Sequence, residues 1–241
     1  MYPAQPPRRI VVVVPAHDEA ADLPRCLEAI GVASAHAPCP VLVVVVLDAC
    51  DDGSAELAGR FGPDVHFVEV DERNVGAARA AGFAYARAAH GTEGIDESTI
   101  WYATTDADTA VDPGWLTSQA RSGADMVLGL VRIADWRRTP GSAIRRYLEA
   151  YRAKVWPDGH AHVHGANMGF RADAYWATGG FASMASDEDV DLVRRFEAHG
   201  FDVHRDRRLS VATSARAVGR APRGFAAHLR SMSRSGRQET A

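Results

Sequence analysis

Hydrophobic residues in the first half of the chain form short continuous runs that alternate with helical patterns. Residues 10–14 and 41–47 are rich in valine, and apolar runs without alternation are typical of strands buried on both faces of a parallel sheet. Between them, apolar residues recur at helical spacing from Leu23 to Ile30, with Asp22 and Pro24 as a start signal. This part of the chain therefore predicts a strand, a helix and a second strand.

The same alternation continues along the chain and becomes less regular in the second half. We predict further strands at 65–70, 100–105, 126–133 and 209–213, and helices at 54–60, 74–89, 113–122, 142–155 and 187–199. Ser186 is the predicted N-cap of the last helix, and Gly200 ends it. Glycine-rich segments near 165–169 and 179–180 predict a mixed strand order there. The pattern as a whole predicts an α/β fold with a Rossmann-like mixed central sheet flanked by helices.

Charge and cysteine content narrow the class of protein. The 241 residues carry 27 basic and 31 acidic side chains, a formal net charge of −4, which gives no case for nucleic acid as a partner. The 3 cysteines form no Cys-x-x-Cys pair, which argues against a disulfide framework or a zinc site. The longest apolar runs fall far short of the roughly 20 residues that span a bilayer. We therefore expect a cytoplasmic, one-domain protein without a transmembrane span.

The most informative chemistry is a pair of carboxylates after a β-prone run at residues 100–105. Asp106 and Asp108 are one residue apart, so on an extended backbone both side chains can aim at one point. Hard oxygen donors of this kind suit Mg²⁺ or Mn²⁺, which often bridge carboxylates to substrate phosphates. The alternative is a polar turn, because Asp112, Pro113 and Gly114 are strong turn residues.

Several short segments occur in an order that is similar to that of a known family. They are Pro15-Ala16-His17-Asp18-Glu19, Leu47-Asp48, Asn74-Val75-Gly76, Asp106-Ala107-Asp108, Gly165-Ala166-Asn167, Gly179-Gly180-Phe181 and Glu188-Asp189. No single segment is specific, but the ordered set over residues 10–200 resembles the family 2 glycosyltransferases of the GT-A fold. The resemblance implies one GT-A domain over residues 1–215, with a nucleotide-binding half at about 8–110 and an acceptor half at about 111–215.

The resemblance also implies an activity and a donor site. A hexose would pass from a UDP- or GDP-linked sugar to a hydroxyl of a small or lipid-linked acceptor, with inversion and with Mn²⁺ or Mg²⁺. Donor contacts are implied for Pro15, Ala16, Glu19, Asp48, Asn74 and Asp106, and metal binding for Asp106 and Asp108. We prefer Asp48 as the contact to the base because it ends its strand directly, although Asp51-Asp52-Gly53-Ser54 could supply the family's run in a shifted register.

For the acceptor half, the resemblance implies that Asp189 is the catalytic base and that Glu188 supports it or binds the acceptor. His164, Gly165, Ala166 and Asn167 would lie beside the reaction centre. An alternative for Asp189 is structural, since Ser186 and Asp189 have the spacing of a helix capping box. Many GT-A enzymes have a later histidine as a metal ligand, but residues 211–216 contain none, so Ser214 or Arg216 could touch the diphosphate instead.

Three further alternatives stay open. His160, His162 and His164 alternate and could form a metal cluster, although we favour solvated or acceptor-facing side chains. The basic tail at 216–241, predicted to be partly helical, could dock onto an anionic membrane surface as a peripheral contact. The function itself could be a non-catalytic nucleotide-sugar sensor, or a retaining glycosyltransferase on the same fold.

Overall fold

The computed structural model describes residues 6–90, 94–137, 140–184 and 186–214. Within these residues the strands are β1 Arg9–Ala16, β2 Val41–Asp48, β3 Val65–Val70, β4 Ile100–Thr104, β5 Thr109–Ala110, β6 Met126–Ile133, β7 Val155–Trp156, β8 Gly159–His160, β9 Met168–Arg171 and β10 Val203–Thr213. Eight of them form one sheet in the order β3-β2-β1-β4-β9-β6-β10-β5, while β7 and β8 form a separate hairpin.

The sheet is parallel on one side and mixed on the other. Strands β3, β2, β1 and β4 run in the same direction, whereas β9 is antiparallel to both of its neighbours, β4 and β6. The carboxyl ends of the parallel strands therefore meet at one edge of the sheet, which is where ligands bind in open α/β sheets.

Helices cover both faces of the sheet. They are α1 Leu23–Ala35, α2 Val75–His90, α3 Trp115–Ala120, α4 Gly141–Arg152, α5 Ala172–Ala177 and α6 Glu188–Ala198. Even-numbered residues of β1 pack into a core with α1 and α3, and odd-numbered ones into a second core with α2, α5 and α6. Burial on both faces explains why β1 is a continuous valine run and does not alternate with polar residues.

Helix α2 lies very close to the sheet because it carries a glycine at the contact. A Cβ atom on Gly82 would lie 2.6 Å from Val13 Cγ1 and 2.8 Å from Val46 Cγ2. Glycine therefore sets how near the helix axis comes to β1 and β2, and with it the position of every other side chain on α2.

The predicted α/β class and the mixed strand order are confirmed, but some details of the predicted elements are wrong. Strands β5, β7, β8 and β9 and helix α5 were not predicted, and β10 begins at Val203 instead of residue 209. Ser186 is not the N-cap of α6. That position belongs to Asp187, in the left-handed region with φ of 65°, and the Ser186 hydroxyl donates to the Asp187 carboxylate.

None of the helices in the described part of the chain is both long and apolar enough to cross a bilayer. The tail at 216–241, with its predicted helix and its proposed membrane contact, lies outside the described residues.

Candidate active site

The edge formed by the ends of β1, β2 and β4 brings several of the expected donor-site residues together. Asp48 ends β2 and is buried. Its carboxylate accepts backbone N–H groups from Glu72, Arg73 and Asn74 at 2.7–2.9 Å. Asp48 thus fixes the loop between β3 and α2.

Asn74 has two structural contacts in the same loop. Its side-chain oxygen accepts the N–H of Ala77 at 3.0 Å, so Asn74 caps α2. Its amide group donates to the carbonyl of Met184 at 2.8 Å, although the two residues are 110 positions apart. The start of α2 is therefore tied to the loop that precedes α6.

The loops after β1 and β2 are linked by side chains of the alternative Asp-Asp-Gly-Ser register. Asp52 accepts the N–H of Ala20 at 2.8 Å and the hydroxyl of Ser54, and Ser54 in turn accepts the N–H of Glu19 at 3.2 Å. Pro15 and Ala16 are buried at the end of β1. The shifted register therefore holds the two loops together beside Asp48.

Asp18 and Cys50 complete a small group with Asp52, in which one ligand atom of each residue lies within 4.8 Å of the others. The Asp18 carboxylate accepts the N–H of Asp51 at 2.9 Å, and Cys50 Sγ donates to the carbonyl of Ala16 at 3.3 Å. These contacts show the group as part of the same link between the two loops.

A buried arginine that the sequence analysis did not select lies at the centre of the site. Arg79 on α2 has a side chain that is 3% exposed. Its guanidinium donates to the carboxylates of Asp106 and Glu188 and lies 5.5 Å from the centre of the Phe181 ring. One side chain thus links the end of the parallel sheet with the start of α6.

The two carboxylates of the Asp106-Ala107-Asp108 segment have different partners. Asp106 accepts from Arg79 Nη2 at 2.7 Å and is half-buried. Burial by the surrounding protein raises the pKa of Asp106 to about 6, with Asp108 adding to this effect and Arg79 opposing it. Asp108 accepts hydroxyl groups from Thr213 at 3.1 Å and from Ser214 at 2.9 Å.

The residues present fit a divalent cation. Arg79 brings one positive charge, while Asp106, Glu188 and Asp189 all interact with it electrostatically, and Asp108 raises the pKa of Asp106 further. The negative charges of these carboxylates therefore outnumber the single positive charge of Arg79. A bound divalent cation would stabilise their ionised forms. Proteins usually bind Mg²⁺ through one or two carboxylates together with substrate phosphates, and not through protein ligands alone.

Asp189 lies in the first turn of α6 and contacts the segment before β9. One oxygen of its carboxylate accepts the N–H of Gly165 at 2.8 Å, and the other accepts the N–H of Val190 at 2.8 Å. The pKa of Asp189 is raised by burial and by Glu188, while Arg79 and the two N–H donors act in the opposite direction. The carboxylate is thus held in one orientation, and the alternative of a capping box with Ser186 is wrong because the N-cap is Asp187.

The segment 165–167 is a turn of 3₁₀ helix that leads into β9, and all three residues are buried. Gly165 has no room for a side chain, because a Cβ atom there would lie 2.5 Å from Arg79 Nη2. Asn167 accepts from Trp115 Nε1 at 2.8 Å and donates to the carbonyl of Leu130 at 2.9 Å. The Asn167 side chain therefore positions this segment through the core, and Ala166 lies between these two fixed residues.

The three alternating histidines form a stack with Tyr151. The Tyr151 ring lies 3.7 Å from the His162 ring and 6.0 Å from the His164 ring, centre to centre. His160 and His162 are buried, so of the two favoured alternatives, solvated or acceptor-facing, the first is wrong for these two and the second stays a prediction. Burial first, and then the neighbouring histidines, lower the pKa of His164 to about 3.

The sequence around Arg79 contains one pattern that indicates a buried arginine. The helix Val75–His90 is rich in alanine and glycine, and Gly76, Arg79, Gly82 and Phe83 share the helical spacing of one face. An arginine among small residues on a buried face needs a carboxylate partner. Its partners, however, are 27 and 109 positions away, so local spacing could not identify them.

Comparison with known proteins gives one matching family and several similar folds. The model of the glycosyl transferase family 2 matches residues 11–179. A mannosyltransferase from Pyrobaculum calidifontis, PcManGT in complex with GDP-Man and Mn²⁺, aligns with a TM-score of 0.64 and 20% identity over 94% of this chain and 61% of that chain. S. aureus TarS 1-349 in complex with UDP-GlcNAc aligns with a TM-score of 0.62 and 13% identity over 90% of this chain and 61% of that chain.

At these identities the structural likeness shows the fold alone. The chain spans about three fifths of the length of either solved structure. No curated protein matches the chain in sequence. The family model covers well over half of the 241 residues, and both similar structures are glycosyltransferases of the GT-A fold. The chain therefore belongs to glycosyl transferase family 2 and has the GT-A fold.

Proposed function

We propose that this protein transfers a hexose from a nucleoside-diphosphate sugar to an acceptor hydroxyl with inversion at the anomeric carbon. The observation that carries the proposal is the bridge from Asp106 through Arg79 to α6, where Asp189 begins the acceptor side. One side chain thereby connects the proposed donor-binding carboxylate, Asp106, to the helix turn that carries the candidate base, Asp189. The two similar structures, one with GDP-Man and Mn²⁺ and one with UDP-GlcNAc, support a nucleotide-sugar donor.

On the donor side, Pro15, Ala16, Glu19 and Asp48 would line the nucleoside, with Asn74 fixing the adjoining loop. Asp106 and Asp108 would hold Mn²⁺ or Mg²⁺, which when bound supplies positive charge for the departing diphosphate. The Asp108 orientation is supported by the hydroxyl groups of Thr213 and Ser214. In this proposal the carboxylates of Asp106 and Asp108 would set the position of the diphosphate.

On the acceptor side, Asp189 would take the proton of the attacking hydroxyl. A base must be ionised, and the two backbone N–H donors and Arg79 favour the charged form of Asp189, while burial keeps it basic. Glu188 would hold the first turn of α6 through Arg79. His164 and the turn that begins at Gly165 would border the acceptor.

The first experiment is a thermal-shift screen of UDP-, GDP- and dTDP-sugars, each with Mn²⁺ and with a chelator, because a ligand that binds only the folded state raises the melting temperature. We expect a metal-dependent rise with one nucleotide class. Asp108→Ala should remove that rise. Asp112→Ala is the matched control, since Asp112 is 58% exposed and pairs with Arg132 at the surface.

A rise that Asp108→Ala leaves intact would remove the proposed metal site, and no rise with any donor would contradict the donor assignment. Once a donor is known, NMR of the product's anomeric proton tests inversion. A product with the donor's anomeric configuration would make the protein a retaining enzyme.

A further inference from the structure

Arg79 connects two parts of the chain that the proposed function treats separately. Asp106 follows β4 in the nucleotide-binding half, while Glu188 starts α6 in the acceptor half. Arg79 is in contact with both, through Nη2 and Nη1 respectively. Any change in the charge at one carboxylate is therefore felt by the group that holds the other.

The guanidinium has little freedom to move away. Gly165 lies against it so closely that a Cβ atom would be 2.7 Å from Arg79 Cζ. Gly76, one turn earlier on α2, would place a Cβ atom 2.3 Å from the carbonyl oxygen of Ala182. These contacts of Gly76 hold the backbone of α2 in place, and the Phe181 ring covers the guanidinium on a second side. With its position fixed by packing, Arg79 responds to a change at Asp106 mainly by redistributing its ion pairs.

Around Arg79, negative charges outnumber positive ones among the described residues. Arg79 serves Asp106 and Glu188 directly and is also stabilised by the charge of Asp189. A divalent cation with a diphosphate at Asp106 would compete with Arg79 for the oxygen atoms of that carboxylate, so that the guanidinium would bind Glu188 more closely. Because ion pairs strengthen in a water-poor environment, the first turn of α6 would then be held more firmly.

We propose that Arg79 is a positioning residue that couples donor binding to the order of the acceptor side, by tightening the first turn of α6, which carries Asp189, when a cation and a nucleoside diphosphate occupy Asp106. This inference rests on the proposed function. It assigns to Arg79 a role beyond stability, because the ion pair with Glu188 becomes stronger in one ligand state than in another.

Hydrogen exchange measured by mass spectrometry on the full chain tests this coupling. The probes are Mg²⁺ with UDP and, in parallel, Mg²⁺ with GDP. In the wild type, the effective nucleotide should slow exchange about fivefold or more, the lower end of usual coupling, in peptides covering both 103–110 and 186–192. In Arg79→Lys, which keeps one charge but loses the forked donor geometry, only 103–110 should respond.

A control and a second variant make the test decisive. Arg87→Lys, on the same helix but paired with Glu97 at the surface, should behave as wild type. If Arg79→Lys does not fold, Glu188→Gln breaks the bridge from its other end and should lose the response at 186–192 alone.

The outcomes separate this inference from the proposed function. A wild-type response at 103–110 alone, or a response at both segments in Arg79→Lys and Glu188→Gln, overturns the coupling and leaves the donor site standing. No response at either segment in the wild type with either nucleotide overturns both.

Discussion

Asp189 is the residue on which the proposed chemistry depends, and its surroundings differ from those of an ordinary helix-capping residue. Its carboxylate reaches across to Gly165 on a different segment, so removing the charge there changes the site and not merely the end of α6. Its raised pKa, caused first by burial, also makes it a stronger base than an exposed aspartate.

The substitution Asp189→Asn should lower kcat at least about 100-fold, because a positioned base contributes roughly 10²–10⁴-fold, and should change donor affinity far less. Steady-state transfer kinetics and donor titration measure the two quantities. Asp191→Asn is the matched control, since Asp191 pairs with Arg195 on the same helix. Comparable turnover in Asp189→Asn and Asp191→Asn would remove Asp189 from the mechanism.

Arg79 also carries a prediction about stability. Arg79→Met should lower the free energy of unfolding by about 3–5 kcal/mol, because it leaves Glu188 and Asp106 without their buried cation. Chemical denaturation of the metal-free protein measures the loss. Arg73→Met, which removes an ion pair with Asp71 between two side chains at least 75% exposed, should cost less than about 1 kcal/mol. Equal losses in the two variants would contradict the central role of Arg79.

At the scale of elements, the position of α2 on the sheet controls the site because Asn74, Gly76 and Arg79 all lie at its start. That position is set by Gly82, whose missing side chain lets the helix approach Val13 and Val46. Glycine inside a helix costs stability relative to alanine, so the close approach must compensate for it through packing.

Gly82→Ala should therefore destabilise the protein by about 1–3 kcal/mol, the usual cost of overpacking a core. Gly31→Ala should do the opposite, because Gly31 is exposed on α1 with nothing within 4 Å of an added Cβ, and alanine there gains up to about 1 kcal/mol. Melting temperatures of the two variants are expected on opposite sides of the wild type. A Gly82→Ala protein as stable as Gly31→Ala would show that the helix can move away from the sheet at little cost.

The sequence predicts a helix or strand when the hydrophobic pattern lies within a few neighbouring residues. It does not predict elements that depend on contacts between distant residues. The valine runs of β1 and β2 and the periodicity of α1 are contained in a few neighbouring residues, and all three appear in the structure. Strand β5 has 2 residues and β9 has 4, which is too short for a periodic pattern. Ser186 failed as a cap because Asp187 adopts a left-handed conformation, which spacing does not reveal.

In the candidate site, too, residues in short motifs could be predicted and long-range contacts could not. The carboxylates at 106, 108 and 189 could be selected because the resemblance depends on short motifs. The buried bridge of Arg79 could not, since it exists only when α2, the end of β4 and the start of α6 pack together. Likewise, the hydroxyl donors to Asp108 come from residues 105 and 106 positions away.

At the scale of the whole molecule, His160, His162 and His164 contribute to the response of stability to acid. Burial is the largest cause that lowers the pKa of His160, His162 and His164, with Arg205 and Lys154 contributing as nearby cations. In the unfolded chain a histidine titrates near 6.5. Through these three histidines the folded protein binds fewer protons than the unfolded one below that pH, which favours unfolding. The raised pKa values of Asp106 and Asp189 act in the opposite direction.

The contribution of His164 to stability should be complete above about pH 6.5 and fall as the pH drops from there towards its folded pKa, about 3. Held neutral in the folded protein, His164 contributes a loss of about 1.4 kcal/mol per pH unit in that window. Melting temperatures between pH 7.5 and 5 measure the slope. His164→Gln should flatten it, while His36→Gln, at an exposed position on the end of α1, should not. An unchanged slope in His164→Gln would show that other groups control acid unfolding.

The last two described residues have a consequence for how this protein can be re-engineered. Thr213 and Ser214 donate their hydroxyl groups to Asp108, so the end of β10 lies against the proposed metal-binding carboxylate. Fusion of a reporter next to residue 214 would therefore disturb the surroundings of Asp108 and not a remote surface. The turn between Gly59 and Gly62, where neither glycine has an atom within 4 Å of an added Cβ, is the better place to open the chain or to insert a second domain.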